Sequence, residues 1–312
     1  MRLILGTRGS PLALWQARHV ADLLRGRHPG LEVVERIIKT EGDLEQTAPL
    51  GGSDVGVFVR RIEQHLLAGD IDLAVHSLKD LPTEQPEGLA VAAVPRRHDP
   101  RDVVLSREGL AFEDLPGGTL IGTGSPRRRA QLLHARPDLR TASVRGNVDT
   151  RIRKLSRGEF GAIVLALAGL ERLGLTSVPY RPIDPAVCLP AVGQGALALE
   201  TRTDDDRARE IVAVLDDADS RRAVAAERAF LHELGGGCLA PATGYATLLG
   251  QALTLRAVVG DADGERLMRD EERGPATDAD AIGRRLAQRM ARAGASQLLE
   301  ASRAEARRRD PR

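Results

Sequence analysis

The sequence predicts an α/β protein built from two similar lobes that face each other across a cleft. The chain has 312 residues, too many for one ordinary core, so two or three domains of roughly 100 residues each are expected. A glycine-bearing strand that runs through Ser-Pro into a helix occurs twice, at residues 3–27 and at 120–135. A later apolar segment repeats as well: GDIDLAVHSL at 69–78 aligns without a gap on GEFGAIVLAL at 158–167. Two such units in the same order point to a repeated α/β lobe.

Taken in order, residues 3–6 (LILG) read as a short strand. Ser10 is a natural N-cap and Pro11 a natural first helical residue. The helix that follows, residues 11–27, places Leu12, Trp15, Val20 and Leu23 on one side of a 3.6-residue period. In the second copy LIGTG leads through Ser125 and Pro126 into RRRAQLLHA. The strand at 71–75 ends in His76, Ser77, Leu78, Lys79, Asp80, Leu81 and Pro82. Near the C-terminus LGGGCLAP, residues 234–241, lies between a run of helix formers and a stretch of strand-like alternation. Three glycines there open the backbone to close approach, which suits either a thiol that reaches out from a loop or a helix C-cap followed by a buried structural Cys238.

Composition removes several function classes. Net charge is +1 with 29% charged residues, so no global basic field would hold nucleic acid, and 2% aromatic residues argue against base-stacking platforms. An anion site must be a local concentration of arginine. All but Lys39, Lys79 and Lys154 of the 45 basic residues are arginine, and where an ammonium is kept its compact charge is a candidate requirement. Two cysteines with no CxxC or HxxxH spacing suggest neither a disulfide framework nor a metal site. No apolar run is long enough to span a bilayer, and MRLILGTRGS lacks a secretory h-region, so a cytosolic protein is expected. The absence of GxxxxGK[ST] excludes a P-loop, and Gly122 with Gly124 is too weak a pattern for a dinucleotide site.

In open α/β sheets the ligand crevice lies beyond the carboxyl ends of the strands, where helix N-termini present free N–H groups. Arg8 precedes the first such terminus, Arg127, Arg128 and Arg129 lie inside the second, and SVRGNVDTRIRK at 143–154 adds Arg145, Arg151 and Arg153. Cations at a helix start oppose the dipole, a cost that a bound carboxylate or phosphate would remove. Arg129 and Arg153 are assigned to solvent. Asp80 is either a turn former or the one anion placed to stabilise a cation formed during reaction. His76 is expected to be packed or hydrogen-bonded. An anion-binding receptor would use the same arginines but has no use for a loop cysteine, and a nucleic-acid reading rests on the arginine runs alone.

The segments TRGSPLALWQA at 7–17, VHSLKDLPT at 75–83, GTGSPRRRAQL at 122–132, VRGNVDTR at 144–151, LPAVGQGAL at 189–197 and GGGC at 235–238 closely resemble the porphobilinogen deaminase (hydroxymethylbilane synthase) family, in order and over nearly the whole chain. The resemblance implies two lobes like those of periplasmic binding proteins, at 1–95 with 196–214 and at 96–195, and a small α+β domain at 215–312. That last domain would hold the helix before the GGGC loop, strands such as QALTLRAVV, a helix near 278–297 and a frayed tail. It also implies a dipyrromethane cofactor joined by a thioether to Cys238, the addition of four porphobilinogen units with loss of ammonia, and release of a linear tetrapyrrole.

Arg8, Arg127, Arg128, Arg145 and Arg151 match the family's arginines for the pyrrole carboxylates, with Ser10, Ser125 and Thr123 adding hydroxyl contacts. Asp80 matches the essential aspartate and Lys79 a lysine that contacts the cofactor. Phe58 matches an aromatic beside a mobile lid, or is core. One departure stands out: the lid-like segment 49–63 lacks the lysines that family members commonly carry there, so Arg60 or Arg61 would have to replace them. The resemblance implies a monomer needing no metal, nucleotide, nucleic acid or membrane.

Overall fold

The computed structural model describes residues 1–38, 57–175, 178–237 and 240–309, in two compact units: Met1–His98 with Gly195–Arg221, and Asp99–Gln194 with Arg222–Arg312. The chain opens with β1 (Arg2–Thr7), α1 (Pro11–Arg27), β2 (Glu32–Ile37), α2 (Val57–Leu67), β3 (Leu73–Ser77) and β4 (Leu89–Ala93). It continues through β5 (Asp102–Ser106), β6 (Leu120–Gly122), α3 (Pro126–Ala135), β7 (Arg140–Ala142), α4 (Val148–Ser156), β8 (Ala162–Ala166), α5 (Leu167–Arg172) and β9 (Tyr180–Pro182). It returns to the first unit with β10 (Leu197–Arg202) and α6 (Asp206–Ala213). Last come α7 (Ala218–Glu233), β11 (Ala242–Leu249), β12 (Ala252–Gly260), β13 (Leu267–Pro275), α8 (Ala279–Arg292) and α9 (Ala295–Arg309).

The repeat read from the sequence is present as topology. One sheet has the order β2-β1-β3-β10-β4 and the other β7-β6-β8-β5-β9. In each, three strands are parallel and the fourth is antiparallel to both neighbours. The fourth strand is the one by which the chain enters that unit after leaving the other. Both Ser-Pro helix starts behave as expected: Ser10 Oγ accepts from Ala13 N at 3.3 Å, and Ser125 Oγ from Arg128 N at 3.4 Å.

Alternation along β3 splits the first unit's core between two faces. Leu73 and Val75 join α1 and α6 on one side, while Ala74 joins Ile62 and Leu66 of α2 on the other. The apolar stripe of α1 differs from the one expected. Gln16, Ala17, Val20, Ala21 and Leu24 are buried, whereas Leu23 is exposed. Small alanines at helical spacing let the helix lie close to the sheet, so position rather than side-chain size sets the buried face.

In the second unit, the three-stranded antiparallel sheet β11-β12-β13 builds a core with Phe230 of α7 and Ile282 and Leu286 of α8. The helix expected near 278–297 stops at Arg292, because Gly294 takes φ +106° and breaks it, and the expected frayed tail is instead helical as far as Arg309. The tip of the β12–β13 hairpin seats on α3. Gly264 there has φ +74°, and a Cβ would lie 2.3 Å from the Ala130 carbonyl oxygen, so glycine permits a backbone approach that no side chain would. His134 Nδ1 lies 2.9 Å from Gly264 O, and Arg129 pairs with Asp263. Arg129 is therefore an anchor to the hairpin rather than a solvent cation; Arg153, on α4, stays exposed beside Asp149.

Leu24→Ala should cost about 2–5 kcal/mol and Leu23→Ala under about 0.5 kcal/mol, read from urea midpoints, because only the former leaves a cavity.

Candidate active site

Site residues gather around one buried carboxylate in the second unit. Asp102, at the start of β5, is fully buried. Arg127 Nη1 donates to its Oδ2 at 2.6 Å, and Arg128 Nη2 donates to its Oδ1 at 2.8 Å. Arg127 also donates to Leu189 O at 2.6 Å and Arg128 to Val164 O at 2.9 Å. Burial alone would raise the Asp102 pKa, yet the two guanidiniums hold it well below the ordinary carboxylate range. Two guanidiniums sharing one carboxylate leave a net positive charge inside the first turn of α3, and Arg128 Nε is buried with no hydrogen-bond partner among the described residues. That combination favours an additional anion.

Around this cluster Gln131 clamps one peptide, donating to Leu189 O at 3.2 Å and accepting from Leu189 N at 2.8 Å. Gln194 Nε2 donates to Asp102 Oδ1 at 2.8 Å and to Pro100 O at 2.6 Å. Cys188 is fully buried beside it, and burial pushes its thiol up to about 12. A thiol so placed is neither reachable nor ionised. Thr123 is buried and its Oγ1 accepts from Ser125 N at 3.3 Å. Arg145 lies exposed in the loop before α4, and Arg151 Nε donates to Gly146 O at 2.8 Å across that turn.

In the first unit, β3 runs into a 3-10 turn, Leu78–Asp80. Leu78 and Leu81 are each 2% exposed, and Leu78 N bonds Ala196 O at 3.1 Å, so buried leucines on either side pin the turn. Lys79 is half-buried and Asp80 exposed between them. Just before the turn, Gln16 Nε2 donates to Ser77 Oγ at 2.8 Å, while His76 Nε2 meets Glu200 Oε2 at 3.1 Å in the buried interior. Arg8 and Ser10 lie at the start of α1. Cys238, the Phe58 side chain and residues 49–56 of the lid-like segment lie outside the described residues; Arg60 and Arg61 are exposed on α2.

Sequence reasoning missed Asp102, Gln16, Gln131 and Gln194. Gln16 and Gln131 had a readable signal, because each stands six residues after its Ser N-cap in the repeated motif. Asp102 had none.

A duplicated α/β half with a net-positive arginine cluster in one copy, and an exposed aspartate on a pinned turn in the other, is a scaffold suited to binding anions. The family model described as "Porphobilinogen deaminase, dipyromethane cofactor binding domain" matches residues 3–210, and that of the "Porphobilinogen deaminase, C-terminal domain" matches 221–292. Relatives named porphobilinogen deaminase include those of Desulforudis audaxviator, 49% identical over 97% of this chain and 99% of the relative, and of Syntrophus aciditrophicus, 47% identical over 95% and 97%. The chain belongs to the porphobilinogen deaminase family.

Asp102→Asn should destabilise the protein by about 3–5 kcal/mol, because two buried guanidiniums lose their anion. The lowered Asp102 pKa contributes stability that is full above the ordinary value of 3.8 and is lost as pH falls below it. The wild type should therefore lose more stability than the variant in acid unfolding.

Proposed function

We propose that the chain deaminates porphobilinogen and joins four units head to tail on a covalently held dipyrromethane primer, releasing a linear tetrapyrrole by hydrolysis. What carries this reading is the exposed Asp80, fixed by Leu78 and Leu81, in a chain that matches the family along nearly all its length. The donor set fits a polyanionic cofactor: a net-positive buried arginine pair, a hydroxyl-capped helix start and further arginines at 145 and 151. Arg127, Arg128, Arg145, Lys79, Thr123 and Ser125 would hold it. The attachment is assigned to Cys238, since Cys188 is sealed in the core. When bound, the cofactor supplies the pyrrole carbon to which the chain is extended.

Arg8, Ser10 and Arg151 are assigned to the carboxylates of incoming substrate, for which guanidinium forks are well shaped, and Phe58 to its rings. As ammonia leaves, the substrate becomes cationic, and the carboxylate of Asp80 lowers that barrier while accepting from pyrrole N–H. It also takes and returns a proton during carbon–carbon bond formation. The division into 1–95 with 196–214, 96–195 and 215–312, a monomeric state and work in the cytosol complete the proposal. No helix among the described residues is long and apolar enough to cross a membrane.

Asp80→Asn keeps shape and removes charge, so turnover should fall by roughly 10²–10³-fold with unchanged unfolding; near-normal turnover would remove Asp80 from the reaction. Cys238→Ser should have the mass of the bare polypeptide, while Cys188→Ala should keep the mass of the covalent cofactor. An adduct on Cys188 would reassign the attachment.

A further inference from the structure

Among its described residues, the first unit buries three ionisable side chains that the reaction above does not use. Glu63 of α2 is 4% exposed, His76 of β3 6% and Glu200 of β10 0%. They share the sheet face that α2 covers: Glu200 is the register partner of Ala74, His76 lies two residues further along β3, and Ile62 and Leu66 pack with Ala74. His76 Nε2 and Glu200 Oε2 are 3.1 Å apart, and among the described residues Oε1 of Glu63 and Oε1 of Glu200 are buried without a hydrogen-bond partner.

Two carboxylates and one imidazole in apolar surroundings are not all stable as ions. A single imidazole can partner only one of the two carboxyls, and the other is best accommodated with its proton. Glu200 has the imidazole, which leaves Glu63. The charged groups acting on Glu63 are Arg60 on its own helix, His76 on β3 and Glu200 on β10. Burial first, then repulsion from Glu200, raise its pKa above the ordinary carboxylate value, outweighing His76 and Arg60. Arg202, further along β10, is committed to Asp72 and Asp205, and His65 of α2 to Asp70.

We propose that Glu63 is a positioning residue for the reaction: as a neutral carboxyl it seats α2 on β3, the strand that runs directly into the Asp80 turn, and its ionisation unseats the helix and lowers turnover. This rests on Asp80 being the working carboxylate. Because the Glu63 pKa is higher in the folded than in the unfolded chain, its contribution to stability is full below the unfolded value and is lost as pH rises through the folded one.

The test follows kcat, KM and thermal midpoint of the holoenzyme as pH rises. Wild type should show a limb on which kcat and midpoint fall together while KM changes little. E63Q, shaped like the protonated acid, should lack that limb. E200Q removes the repelling charge, lets Glu63 ionise sooner and should move the limb towards acid. Opposite responses of two neutralising substitutions separate this role from general loosening. E63Q that keeps the wild-type limb, or E200Q whose limb stays in place or moves towards alkali, overturns the proposal; if E63Q does not fold, E200Q decides. Near-normal turnover of D80N would remove Asp80 from the reaction without moving either limb, so the two readings fail separately.

Discussion

The arrangement of the second unit depends on a carboxylate that could not be buried alone. Asp102 sits at the start of the strand by which the chain enters that unit, and it is tolerable there because two guanidiniums of α3 reach it. Gln194, at the far end of the same passage through the unit, binds the same carboxylate, and Arg127 reaches on to Leu189. Three distant stretches of chain thus converge on one anion, and the first turn of α3 takes its pose from that convergence. Ion clusters of this kind are poor sources of net stability, but an unmatched pose is heavily disfavoured. The excess positive charge, normally a liability at a helix start, remains available to a ligand.

The internal repeat shows how the two halves diverged. Register pairs Asp102 with Ala166 on β8 and Leu197 with Ser77 on β3, and the aligned repeat equates Ala166 with Ser77, so Leu197 occupies the Asp102 position in the first unit. The residues corresponding to Arg127 and Arg128 there are Leu12 and Ala13. Anion and cations are absent together from one copy and present together in the other, as expected of groups that cannot be buried separately. The first copy presents Asp80 instead on an exposed turn outside the core.

Local chemistry was legible in the sequence and long-range pairing was not. Ser-Pro helix starts, the two glycine-bearing strands and the turn carrying Asp80 each rest on a few adjacent residues, and those readings describe the structure. The partners of Arg127 and Arg128 lie on a strand far back along the chain, and Arg129 meets Asp263, 134 positions away. Nothing near these arginines distinguishes an internal ion partner from a ligand or from water. On α1 the large side chains drew attention to the wrong stripe, because the alanines that set the close approach to the sheet carry little hydrophobic signal. His76 is expected to be packed or hydrogen-bonded, but nothing beside Glu63 or Glu200 in the sequence marks either as buried with it.

The glycine at the β12–β13 tip bears on how the protein can be altered. Exposed hairpin ends are usual places to insert tags, loops or new termini. Here the end of the hairpin is wedged backbone to backbone against α3. Lengthening it would push directly on the helix that carries the paired guanidiniums, so this turn is closed to grafting even though it lies on a separate sheet with its own core.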